Sequence, residues 1–293
     1  MKQKTEKNNP GIPWLDTEKW GISLEGKLTS GVITEVQARW CNEFAQVGFL
    51  VIEKLISDDK IDRVWKAYEK FYQGNKEKFY TSNFPGDPWP ERFLNTHFSV
   101  PEVAEILHYP KLLEITKILF DRRTCPFQTI TSHKGTEQAA HSDSIHMTTK
   151  PPGYLIAAWI ACEDVHPDSG PLYYYPKSHR LPYVLSKNVG ISNEDFEERQ
   201  HGIYHERYEP HIQELIFRHS LRRKEFLAKK GDVLLWHANL LHGAEVRRDL
   251  TLSRKALVCH YFAEGVDCYH DLSGRKVSFS GEEGVAVPPV SRR

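Results

Sequence analysis

The 293-residue chain has only five cysteines, with no CxxC spacing among them, which leaves little for a disulfide framework or a structural zinc site. Cys41, Cys125, Cys162, Cys259 and Cys268 are odd in number and scattered, which fits a reducing cytoplasm. Cys162 and Cys259 lie inside apolar runs and are expected in the core. No stretch approaches the ~18–20 apolar residues that a bilayer span requires, so no membrane partner is expected. The opening MKQKTEKNNPGIPW is charged and then proline-rich, without the apolar centre of a secretory signal. It reads as a disordered leader over residues 1–13. There is no excess of charge either: Lys+Arg and Asp+Glu are both 39. A nucleic-acid partner would call for a basic excess or stripe. There is no internal repeat and no low-complexity segment.

Apolar side chain is plentiful, at 40% of residues with 12% aromatic, enough for one large core and a single domain over 1–293. Residues 14–120 read as mostly helical. Thr34 and Gln37 have the spacing of a capping box that opens a helix to about Gln46, and Phe49–Ile52 could be a first strand. After Ser57, the positions Ile61, Val64, Trp65, Tyr68, Phe71 and Tyr72 keep to one helical face, and Gly74 is expected to end that helix. Residues 75–98 hold FPGDPWPERF and cannot be regular for long. A helical stretch from Pro101 to Phe120 is broken at Pro110.

From 121 to 265 the pattern changes to short β-rich runs: Phe127–Ser132, Tyr154–Cys162, Leu172–Tyr175, Phe226–Ala228, Val233–Trp236 and Lys255–Phe262. In the last, Ala256, Val258, His260 and Phe262 alternate with Leu257, Cys259 and Tyr261. PDSG at 167–170 makes a turn between strands. The rhythm predicts a mainly β sandwich or jelly roll, interrupted by a charged, histidine-rich insertion or lid at about 186–224.

The chemistry gathers at His141-Ser142-Asp143. In an extended strand, residues i and i+2 face the same way, so His141 and Asp143 can grip one ion. A third ligand must come from elsewhere, and His242 in WHANLLHGAE leads, with His237 as its rival. Two histidines and one carboxylate on one face of a metal leave three positions open, and this N/O set suits Fe(II). Arg254 follows His242 by 12 residues at the start of the last strand.

These stretches resemble the phytanoyl-CoA dioxygenase family, which includes ectoine hydroxylase. The matching segments are HSDSIH, the strand around Trp159, DSGPLYYYPKSHR and GDVLLWHANLLHGAEVRRDLTLSRKALVCHYF, together covering roughly 126–262. The resemblance implies a double-stranded β-helix, a cupin-like jelly roll with N-terminal helices packed outside. It implies that His141, Asp143 and His242 bind iron and carry catalysis through it, and that Arg254 pairs with the distal carboxylate of 2-oxoglutarate, for which a guanidinium fork is suited. Gln128 and Trp159 match positions that line the cosubstrate pocket. Related iron halogenases usually have a small residue where this chain has Asp143, so the carboxylate favours hydroxylation or another oxidation over halogenation. The implied activity is that of an oxidoreductase, a dioxygenase using Fe(II), 2-oxoglutarate and O2 on a small organic molecule, with release of succinate and CO2. One departure is Lys177 in PKSH, where the family commonly has a turn glycine.

Other readings stay open beside it. A jelly-roll hydrolase or lyase could use zinc or manganese in the same triad, and a cupin-like binding protein could hold a metal without catalysis. His146 could touch substrate or simply be a hydrogen-bonded wall. Tyr173 and Tyr175 share a strand face and could line the substrate pocket or fill the core. His179 reads as a loop-holding residue, and His201, His205, His211 and His219 as solvated surface.

Overall fold

The computed structural model describes residues 11–79, 92–199, 201–280 and 285–287. Residues 1–10 of the expected leader and residues 80–91 of the proline-rich stretch lie outside the described residues. Among the described residues, no helix is long and apolar enough to cross a membrane.

The N-terminal half is helical for local reasons that the sequence states clearly. Helix α1 (Trp20–Thr29) packs on α2 (Glu35–Val47), which opens on the expected capping box: Gln37 N–H donates to Thr34 Oγ1 at 3.3 Å and Thr34 N–H to Gln37 Oε1 at 2.9 Å. A Thr34→Ala variant is expected to lose about 1 kcal/mol of stability, read as a lower midpoint in urea unfolding. Helix α2 ends at Gly48, whose φ of 87° is left-handed, and a Cβ there would sit 2.4 Å from the His179 ring. Glycine is therefore demanded twice, by the backbone and by the neighbour. The chain then enters β1 (Phe49–Ile52).

Helix α3 (Asp58–Phe79) follows Ser57. It runs past Gly74, contrary to the expected stop, because glycine costs only about 1 kcal/mol inside a helix and a tertiary face of this length outweighs it. Ile61, Val64, Trp65, Tyr68 and Tyr72 are buried along that face. After β2 (Phe93–Leu94), α4 (Pro101–Leu107) and α5 (Pro110–Phe120) each begin with proline at the first turn, where no N–H is needed.

The β part comprises β3 (Thr124–Ser132), β4 (Met147–Lys150), β5 (Leu155–Ala161), β6 (Leu172–Tyr174), β7 (Lys224–Phe226), β8 (Val233–His237), β9 (His242–Ala244), β10 (Ala256–Ala263), β11 (Asp267–His270), β12 (Ser278–Ser280) and β13 (Val285–Val287). An antiparallel sheet runs β1-β8-β5-β10-β3-β2, and a smaller one β7-β6-β9. β4 pairs with β11, and β12 with β13. This is the expected jelly roll with helices outside.

Alternation along β10 decides what faces what. Leu257, Cys259 and Tyr261 join Ile156, Ala158, Leu235 and the faces of α2 to α5 in the largest core cluster, which also takes in Cys162. Each large side chain buried there contributes about 1.5–3 kcal/mol. The opposite face carries Ala157, Trp159, Leu234, Trp236 and Ala256 against Leu172, Tyr174 and Phe226 of the small sheet. All five cysteines are buried and free. The strand expected at Phe226–Ala228 forms instead at Lys224–Phe226, because pairing with β6 matches Leu172 to Phe226 and Tyr174 to Lys224.

The insertion is largely helical. It contains α6 (Asn193–Arg199), α7 (His201–Ile203), a π-helical turn at Tyr204–Tyr208, and α8 (Glu209–Arg218). Ile203, Tyr204, Tyr208 and Ile212 are buried against Tyr173, Tyr175 and Leu241 at the end of the jelly roll.

Candidate metal centre

His141 and His242 lie side by side because their backbones pair. Each N–H donates to the other's carbonyl at 2.9 Å, an isolated antiparallel bridge that extends the small sheet beyond β9. The expectation that His141-Ser142-Asp143 forms a strand needs correction. Ser142 is extended (φ −104°, ψ 148°), but Asp143 opens a 3₁₀ turn, Asp143–Ile145. One extended residue is enough to aim both ligand side chains the same way. The turn is held by Ser144, whose N–H and hydroxyl both donate to the Ala238 carbonyl. From the insertion, the Tyr208 hydroxyl accepts the Ser142 N–H at 3.1 Å, midway between the two ligands.

Ligand atoms of His141, Asp143 and His242 all lie within 4.8 Å of one another. In both histidines Nδ1 faces the carbonyl two residues back: Ala139 at 2.8 Å for His141, Leu240 at 3.0 Å for His242. A carbonyl only accepts, so each Nδ1 carries the proton and each Nε2 presents a lone pair. Burial, then the facing His242, holds the His141 pKa well below its ordinary value, so this ring is neutral at neutral pH. The Asp143 carboxylate lies 3.5 Å from His242 Nε2 through Oδ1, while Oδ2 accepts the Trp236 indole N–H at 2.6 Å. Two imidazoles whose Nδ1 atoms are tied to carbonyls, and a buried carboxylate with no Lys or Arg partner among the described residues, form a donor set that fits a divalent metal, Fe(II) among them.

Arg254 is 3% exposed. Its Nη1 donates to the Gly170 carbonyl at 3.0 Å, its guanidinium stands 5.9 Å from the Trp159 ring, and Nε has no partner among the described residues. Gly170 closes the PDSG turn with φ 78°, and a Cβ there would meet the Arg247 side chain at 2.9 Å. Burial, then Arg247, lowers the Arg254 pKa to about 10, which leaves it charged at neutral pH. A buried cation with no carboxylate partner among the described residues is costly, and the chemistry that relieves it is an incoming anion. This fits the distal carboxylate of a dicarboxylic cosubstrate. Trp159 faces inward from β5, and Gln128 on β3 pairs in register with His260, whose Nε2 is 3.9 Å from Asp143 Oδ2.

The remaining expected residues separate into two groups. His146 joins the site: its ring is 5.7 Å from His141 and 5.2 Å from Tyr204. Tyr173 and Tyr175, 5.9 Å apart edge to face, are buried in the cluster beneath the insertion. His237, the rival ligand, points away. Its Nε2 meets Asp16 at 3.2 Å, and its ring is 5.6 Å from His179, whose own Nε2 meets the Ala45 carbonyl. The His179 loop therefore anchors the N-terminal segment. Lys177 takes the left-handed conformation (φ 71°) that a glycine would adopt without strain. Of the four insertion histidines expected at the solvated surface, His205 and His219 are exposed and His211 is half-buried, while the His201 side chain lies outside what is described.

Asp16 makes a pH prediction. Burial alone would raise its pKa, but the charge and hydrogen bond of His237, together with the charges of His179 and Arg180, outweigh that, and the net shift is downward from 3.8. A lowered carboxylate pKa stabilises the fold above the ordinary value, and that stability disappears as pH falls through the folded value. Asp16→Asn is therefore expected to flatten the acid limb of a plot of unfolding free energy against pH; an unchanged limb would remove Asp16 from the account.

Sequence reasoning missed Trp236, His260, Tyr204 and Tyr208. The alternation of β8 and β10 carried a signal for the first two. The insertion offered none for the tyrosines. Tyr204 stacks on Tyr208 at 5.0 Å, and its buried hydroxyl has no partner among the described residues. A π-helical turn beside a site often marks function.

The chain matches the family model of phytanoyl-CoA dioxygenase (PhyH) over residues 44–254. Among curated proteins it is similar to the peroxisomal phytanoyl-CoA dioxygenase of Mus musculus, 26% identical over 275 residues, covering 84% of this chain and 73% of that one. Among solved structures it is similar to the non-heme alpha ketoglutarate dependent carbocyclase SnoK from nogalamycin biosynthesis, at TM-score 0.61 and 17% identity, with 83% and 88% of the two chains covered. It is also similar to EctD from S. alaskensis with 2-oxoglutarate and 5-hydroxyectoine, at TM-score 0.58 and 19% identity, with 79% and 76% covered.

Proposed function

Because the chain belongs to the phytanoyl-CoA dioxygenase family, we propose that it is an Fe(II)- and 2-oxoglutarate-dependent dioxygenase that hydroxylates a small organic molecule. The observation that carries this reading is the convergence of His141, Asp143 and His242 within 4.8 Å, with both Nε2 lone pairs presented. Iron held there would supply activation of O2, and 2-oxoglutarate would supply two electrons, leaving as succinate and CO2 while the substrate gains a hydroxyl group.

The protein's part is geometry and exclusion. His141, Asp143 and His242 occupy one side of the ion and leave the other for small ligands. Arg254 receives the distal carboxylate of 2-oxoglutarate, which fixes the direction of its keto acid end; Trp159 and Gln128 wall the same pocket. His146, Tyr173 and Tyr175 form the substrate side together with Tyr204. The insertion at 186–224 covers the site and keeps water from it, which suppresses side reactions. Arg254 also favours this reading over a zinc hydrolase, which has no use for a buried cation there.

The balanced charge supports a small molecule over a polyanion. Five free buried cysteines support a reducing compartment, and we place the protein in the cytoplasm. The name of the murine relative makes the peroxisome the alternative that cell fractionation would test.

Anaerobic titration with Fe(II) and 2-oxoglutarate tests the class. A weak visible charge-transfer band that needs both components is the expected result. Tight zinc binding without any such band would instead favour the hydrolase reading.

A further inference from the structure

Asp143 is the least secured of the three candidate ligands. It sits on a short 3₁₀ turn outside any paired strand, whereas both histidines are locked by the bridge and by their carbonyl contacts. A carboxylate on such a turn can rotate and offer a metal one oxygen or two. A second bound oxygen would take one of the positions that cosubstrate and O2 need.

One side chain restrains it. Trp236 lies on β8, paired on one side with Phe49 of β1 and on the other with Ala157 of β5, so its backbone is fixed in the middle of a sheet. The small side chain of Ala157 leaves the inner face open for the indole, which is 3% exposed. Its N–H reaches Asp143 Oδ2 at 2.6 Å, and its ring lies against His242 with centroids 4.6 Å apart. Among the described residues no other hydrogen bond reaches this carboxylate. The His260 ring nitrogen, at 3.9 Å, is beyond hydrogen-bonding distance. An indole nitrogen donates and never accepts, so it cannot exchange roles with its partner.

Resting on the metal-site reading above, we propose that Trp236 is a positioning residue: it occupies Asp143 Oδ2, leaves Oδ1 alone to the metal, and braces His242 with the same ring. The family resemblance rests on the stretch that contains Trp236 but gives this side chain no role; the assignment comes from its contacts with two of the three ligands.

Co(II) is the probe, titrated into the purified protein and followed by its visible absorption. Trp236→Phe keeps a ring beside His242 and removes the N–H. It is expected to weaken Co(II) binding about 10–100-fold, the range for loss of a partner that orients a metal ligand. Leu234→Val trims the same core cluster on the same face of β8, and should lower the apo-protein's thermal midpoint with Co(II) affinity unchanged. Wild-type Co(II) affinity in Trp236→Phe would overturn the proposal, as would equal losses in both variants, since packing alone would then be responsible. His242→Ala separates the two levels: if it binds Co(II) like the wild type, the metal site itself is misassigned and the proposal falls with it. Should Trp236→Phe fail to fold, indole N–H resonances of the wild-type protein give the answer. A short bond to a carboxylate requires one strongly downfield signal that exchanges slowly with solvent, and its absence overturns the proposal.

Discussion

His242→Ala is expected to bind Fe(II) more than about 100-fold more weakly than the wild type and to have no measurable turnover, because loss of a mere outer partner of a metal ligand already costs up to that factor. The same holds for His141→Ala and Asp143→Ala. The fold should survive each change, since the bridge between positions 141 and 242 is made by backbone groups that alanine retains. Metal affinity measured beside the thermal midpoint separates the two effects. Full activity in any of the three would remove that residue from the ligand set.

Arg254→Met has a different signature on stability and on function. Truncating one member of a buried charge pair costs roughly 2–5 kcal/mol, so the apparent affinity for 2-oxoglutarate should fall by a factor between about 30 and 5,000. Fe(II) binding in the absence of cosubstrate should be unaffected. The apo-protein should be about as stable as the wild type, because a buried cation with no carboxylate partner among the described residues is replaced by an apolar side chain of similar length, which offsets the lost bond to the Gly170 carbonyl. Arg254→Lys keeps the charge but loses the fork, and should fall between the two. A 2-oxoglutarate dependence that does not change in Arg254→Met would mean that another basic group holds the distal carboxylate.

Much of the site was legible because its parts follow local rules. His141 and Asp143 are two apart with an extended residue between them, and His242 and Arg254 flank the segment that leads into β10. The capping box of α2, the face of α3 and the alternation of β10 were equally plain, since each is set by spacing alone. What escaped was set by distant parts of the chain. β9 is the tripeptide His-Gly-Ala, without a β-branched residue, and is a strand because Tyr174 pairs on one side and His141 on the other. Gly74 failed as a helix stop because the face of α3 outweighed it. Tyr208 reaches Ser142 from the insertion, and no periodicity in residues 186–224 announces that contact.

The bridge between His141 and His242 also ties the metal centre to the order in which the molecule assembles. Its two halves are roughly a hundred residues apart, so closing that loop belongs to the late, long-range steps of folding. A nascent chain that has not yet emerged past His242 has no site at all, and a chain whose small sheet pairs out of register separates the two imidazoles. On the proposed reading, tight metal uptake would therefore report on completed topology: the metal would be held by chains that have closed correctly and lost by those that have not.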